Sequence, residues 1–133
     1  MNGMNLMYRL QHKVLPLVIA GIIGLLPALA GIHPSQVIGE SMAPTLRDQS
    51  IHLIVPVWEP KRGDIVTLQV AESEHPLVKR IVAGPDDAVL HQGEMIILGE
   101  DEYYVLGDNR AVSMDSQMFG PIDRSEITGR LIF

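Results

Sequence analysis

The stretch "VLPLVIAGIIGLLPALAGI" runs from Val14 to Ile32 without a charged side chain. Coiled as a helix, its 19 residues span about 28 Å, close to the ~30 Å hydrocarbon core of a bilayer. Gly21, Gly24 and Pro27 fit that reading, because glycine and proline are tolerated in membrane helices. Arg9 and Lys13 precede the run, and no Lys or Arg follows until Arg47. The positive-inside rule therefore leaves residues 1–13 cytoplasmic, 14–32 in the membrane and 33–133 on the exported side. Ala28-Leu29-Ala30 has the small-x-small form of a secretory cleavage site. The run is longer than the roughly 7–15 apolar residues of a signal peptide, which favours an uncleaved anchor. Either alternative exports the rest of the chain.

What remains is about 100 residues, enough for one small domain with a modest core. The net charge is −6 and no basic block lies beyond the N-terminus, so nucleic acid is not an expected partner. Cysteine is absent, which removes disulfides, zinc–thiolate sites and cysteine nucleophiles. No H-x-x-x-H or H-E-x-x-H spacing occurs, so neither a zinc hydrolase, another metal site nor a cofactor is expected.

Past Ile32 the chain carries short β-rich runs divided by turn residues, the pattern of an all-β, mostly antiparallel domain. "IHLIVPVW" (51–58), "IVTLQV" (65–70), "HPLVKRIVA" (75–83), "AVLH", "EMIIL", "YYVL" and a closing "RLIF" are the expected strands. Pro56 removes a ladder donor, so its strand is expected at an edge or bent there.

Three segments carry candidate chemistry. Ser41 stands in "VIGESMAPTLRDQS", between Gly39 and the apolar Met42, Pro44 and Leu46; a lone loop serine is ordinarily a turn former or cap. Lys79 lies within "PLVKRIVAG", where period-2 alternation sends it and Arg80 to opposite faces. A strand lysine ordinarily faces water. Turned inward, desolvation would disfavour its ammonium form, and a neutral amine can act as a general base. The third segment, "GDNRAVSMDSQMFGPI" from Gly107 to Ile122, reads as a polar loop with side-chain-to-backbone bonds. His33, His52, His75 and His91 read as solvated or strand-packed side chains rather than bases.

In this order, Ser-Met-x-Pro-Thr-Leu, Gly63-Asp64-Ile65-Val66, Val78-Lys79-Arg80-Ile81 and Gly-Asp-Asn-Arg-x-x-Ser-x-Asp-Ser resemble type I signal peptidases, membrane-anchored serine–lysine proteases. The resemblance runs from about Ile38 to Phe133. Cytosolic self-cleaving repressors also pair a Ser-Met with a later lysine, but they lack the apolar run and the Gly107–Ser116 loop. The resemblance implies a Ser41 nucleophile, a Lys79 general base, Ser113 orienting the Lys79 amine, and an Arg80–Asp108 ion pair. It also implies preprotein substrates cut after a small-x-small motif, with Met42, Leu46, Leu77 and Val78 lining the pocket nearest the cut bond.

Two positions depart from the family pattern. Gly39 stands where many bacterial members carry a serine that helps hold the oxyanion, leaving the Ser41 N–H as the expected donor. Gln117 replaces an arginine that usually pairs with the aspartate at Asp115, which deprives that carboxylate of its expected partner. Only 27 residues separate Lys79 from Gly107, too few for the large second domain of some members. The expected location is a bacterial inner membrane. The alternatives are a specialised maturation peptidase, for conjugation pilin or organelle presequences, and a non-catalytic relative that kept the fold.

Overall fold

The computed structural model describes residues 15–26 and 30–132. Residues 15–26 form a helix, α1, whose side chains are exposed along its whole length. No helix among the described residues is long and apolar enough to cross a membrane. The expected cytoplasmic segment 1–13, Val14, Pro27 and the first two residues of the Ala28-Leu29-Ala30 motif lie outside the described residues.

Among the described residues nine strands follow: β1 (His33–Gln36), β2 (Ile51–Val55), β3 (Ile65–Leu68), β4 (Leu77–Ala83), β5 (Ala88–His91), β6 (Glu94–Ile97), β7 (Glu102–Leu106), β8 (Ile122–Asp123) and β9 (Ile127–Ile132). Seven of them make one sheet in the order β1-β2-β9-β3-β4-β7-β8, with neighbouring strands antiparallel. β5 and β6 pair only with each other, as a hairpin. A one-turn helix, α2 (Ser116–Phe119), sits between β7 and β8.

β3 is the centre of the sheet, and all four of its residues are buried. Successive side chains leave a strand on opposite faces, so β3 feeds two cores. Val66 and Leu68 pack with Ile81, Val105 and Ile127, while Ile65 packs with Val37, Met42, Leu46 and Ile54. The second core matters for function, because it holds the Ser41 segment against the sheet.

β2 differs from expectation. It is paired on both sides, to β1 and to β9, and ends at Val55. Pro56 therefore neither occupies an edge strand nor bends one; the ladder stops one residue before the missing donor. β1 was not anticipated, since "HPSQ" offers no apolar alternation, yet His33 to Gln36 pair in register with Ile54 to Ile51.

β9 crosses the middle of the sheet at Gly129, opposite Thr67. A Cβ there would lie 2.4 Å from Ile54 Cγ2 and 3.2 Å from the Val55 carbonyl oxygen. Gly129→Ala is expected to lower stability by about 1–3 kcal/mol through overpacking, read as a lower urea midpoint at unchanged slope. An unchanged midpoint would contradict that close approach.

Candidate active site

Residues 37–50 leave the sheet and return to it as a closed loop. Val37 N donates to Ser50 O at 2.9 Å and Gln49 N to Val37 O at 2.8 Å, which ties the two ends together. Inside the loop, Gly39 has φ 93° and its N–H donates to Asp48 Oδ1 at 2.7 Å. A turn follows, closed by Leu46 N donating to Met42 O at 2.9 Å. Met42 and Leu46, each 1% exposed, point down into the second core and fix the turn that bears Ser41.

Lys79 reaches the same place from β4. Its side chain is 3% exposed, so it is turned inward, and Nζ lies 2.8 Å from Ser41 Oγ. The amine donates to Ser41 Oγ and to the Val78 carbonyl at 2.9 Å. Burial pushes the lysine pKa below its ordinary 10.5, partly opposed by the negative charge of Asp115.

Arg80 takes the opposite course, as alternation requires. Its Nε donates to Asp108 Oδ1 at 2.9 Å, its Nη2 to Asp108 Oδ2 at 2.7 Å, and its Nη1 to the Gly63 carbonyl at 2.9 Å. This fork holds the Asp108 carboxyl below its ordinary 3.8, with help from Thr45, and raises the Arg80 pKa. The next residue, Asn109, donates its N–H to Ser41 O at 2.9 Å. Gly107 makes that approach possible: a Cβ there would stand 2.6 Å from Ser41 O and 2.2 Å from Ser113 Oγ.

Asp115 has partners that its side-chain neighbours do not reveal. It is 1% exposed, and its carboxylate accepts the N–H of Gly107 at 2.9 Å and of Gln117 at 3.1 Å, capping α2. The arginine absent at Gln117 is thus replaced by backbone donors. Ser116 beside it is fully buried, its Oγ accepting from Val105 N at 3.0 Å.

Two expectations need correction. Ser113 Oγ is buried and makes no hydrogen bond, so it does not orient the Lys79 amine in this conformation; it is packed against Gly107 instead. Met42 and Leu46 lie in the core beneath the site rather than in its cleft. The cleft, about 470 Å³, is lined by Ser35–Ile38, by Ser73 and His75–Lys79, and by Ser41. Leu77 and Val78 are among its lining residues, and so is Thr67, which the sequence did not single out. No group of residues suited to hold a metal ion occurs among the described residues.

The family model described as signal peptidase, peptidase S26, matches residues 10–100 and 92–133. The chain belongs to this signal peptidase family. It is a peptidase, a hydrolase. It is 29% identical over 151 aligned positions to signal peptidase I of Bacillus licheniformis, an alignment covering 85% of this chain and 81% of that one. It is 27% identical over 147 positions to signal peptidase IB of Staphylococcus aureus, covering 77% and 76%. A crystal structure of a signal peptidase I from Enterococcus faecalis superposes with a TM-score of 0.46 at 22% identity, covering 57% of this chain and 99% of the other.

Within this signal peptidase the buried Lys79 amine has a stability cost with a defined sign. Its folded pKa is lowered, so the unfolded state binds more protons between that value and 10.5, and stability rises with pH through that window. Lys79→Met is expected to raise stability by roughly 1 kcal/mol at neutral pH, with a smaller gain at pH 10, nearer the upper end of the window in which wild-type stability rises. Melting temperatures of both proteins at the two pH values check this. A destabilised Lys79→Met at neutral pH would contradict it.

Proposed function

We propose that the chain is a membrane-anchored serine endopeptidase that removes signal peptides from exported preproteins after a small-x-small motif, with Ser41 as nucleophile and Lys79 as general base. The observation that carries this reading is the 2.8 Å approach of a desolvated lysine amine to the hydroxyl of a serine that lines an open cleft. Serine–lysine pairing activates a hydroxyl without histidine.

With the amine neutral, Ser41 O–H donates to the Lys79 lone pair. Oγ attacks the scissile carbonyl carbon as the proton passes to Nζ, and the resulting ammonium protonates the leaving amine, which departs as the N-terminus of the mature protein. The signal peptide is left as an ester on Ser41. Lys79, neutral again, takes a proton from water as that water attacks the ester, and returns it to Ser41 Oγ as the ester bond breaks; the signal peptide leaves as an acid that ionises to a carboxylate in solvent. The Ser41 N–H donates to no protein acceptor among the described residues and is the oxyanion donor in this reading. Arg80, Asp108 and Asp115 hold the loop that pins the Ser41 carbonyl; Gly39 is a backbone element of the nucleophile loop.

The substrate enters the cleft as an extended strand, where alternate side chains face pockets. Leu77 and Val78 make an apolar wall beside the cut bond that suits alanine and excludes bulk. Residues 14–32 anchor the enzyme in the bacterial cytoplasmic membrane, with 1–13 cytoplasmic and 33–133 on the exported side. This places Ser41 nine residues after the anchor, where a signal helix leaves the bilayer.

Ser41→Ala and Lys79→Ala are each expected to abolish cleavage of a preprotein in detergent while circular dichroism stays that of the wild type. Turnover by Lys79→Ala near the wild-type rate would defeat the dyad. Because only the neutral amine accepts the proton, kcat/KM should rise with pH through the lowered Lys79 pKa and then level. A rate independent of pH from acid to alkaline would contradict the assigned base.

A further inference from the structure

Thr45 stands four residues after Ser41 in the same turn, and its side chain is exposed. An exposed threonine in a turn needs no partner. This one donates its hydroxyl to Asp108 Oδ2 at 2.5 Å. The same oxygen accepts from Arg80 Nη2 at 2.7 Å, so one carboxylate joins the serine turn to the strand residue that follows Lys79. Asn109, adjacent to Asp108, holds Ser41 O at 2.9 Å.

The connectivity makes a closed ring. Ser41 leads through its turn to Thr45, across to Asp108, across again to Arg80, and back along β4 to Lys79, which returns to Ser41 at 2.8 Å. Met42 and Leu46 fix the depth of the turn in the core, but an apolar contact leaves rotation about the turn axis weakly specified. The Thr45–Asp108 bond supplies a directional restraint at the other end of the turn. We propose that Thr45 is a positioning residue for the reaction: its hydroxyl, acting through Asp108, sets the rotation of the Ser41 turn and thereby the approach of Ser41 Oγ to Lys79 Nζ. The proposal rests on the serine–lysine reading for its catalytic consequence, and on the hydrogen-bond ring alone for its structural one.

The test compares Thr45→Val, which keeps the branched shape and removes the hydroxyl, with Thr45→Ser, which keeps the hydroxyl. In the full chain in detergent, Thr45→Val is expected to lower kcat about tenfold with KM within twofold, and Thr45→Ser to recover most of the loss; misplacing reacting groups acts on kcat in this way. In an Asp108→Ala background Thr45→Val should cost no further activity, because the partner through which it acts is gone. Amide hydrogen exchange at Asn109 should accelerate in Thr45→Val and not in Thr45→Ser. A Thr45→Val enzyme with wild-type kcat overturns the proposal whatever its melting temperature, and so does a Thr45→Ser enzyme as impaired as Thr45→Val. If Lys79→Ala proved active, the dyad would fail while the Asn109 exchange still decided the ring: faster exchange in Thr45→Val supports it and unchanged exchange overturns it.

Discussion

The site depends on a lysine amine kept out of water. A strand lysine gains solvation by turning outward, so an inward one persists only where packing and geometry over-determine it. Here the over-determination is visible. β4 lies between β3 and β7, its alternation commits Lys79 to the inward side once Ile81 and Ala83 are buried, and Arg80 is held outward by a forked ion pair. The amine then has two acceptors within reach, a backbone carbonyl and the Ser41 hydroxyl.

The serine is placed by different means. Its turn has no ladder to fix it, so apolar side chains seat it from below and the Gly107–Ser116 loop grips it from the side. That loop is itself rigid because Asp115, buried, gathers backbone N–H groups from both of its flanks. Charge is used sparingly and in the right order: an ion pair clamps the outer layer, while the layer touching the reacting atoms is left with a neutralisable amine. Stability is given up at Lys79 and recovered in the sheet around it.

Much of this was legible in the residues. The run "AVLH" marks β5 to the residue and "EMIIL" marks β6 to within one, and the breaker cluster at Gly84-Pro85-Asp86-Asp87 separates β4 from that hairpin. The facing of Lys79 against Arg80 followed from the two-residue period. Other parts were hidden for physical reasons. β1 forms because a partner strand is available, which "HPSQ" cannot announce. Met42 and Leu46 belong to a turn, where no period says whether an apolar side chain faces a cleft or a core. Asp115 is satisfied by main-chain donors, and side-chain patterns carry no record of those. The one-turn α2 owes its existence to the Asp115 cap rather than to helical propensity.

The β5–β6 hairpin has a consequence for how such enzymes vary in size. It pairs with no strand of the main sheet, and it is spliced between β4, which bears Lys79, and β7, which leads to the loop that holds Ser41. Extra chain grafted at its Gln92-Gly93 tip extends a ladder on which no reacting group relies. Closing a longer excursion costs little more entropy than closing a short one. The catalytic frame is therefore insulated from growth at this point, and added modules can diversify there while the chemistry stays still.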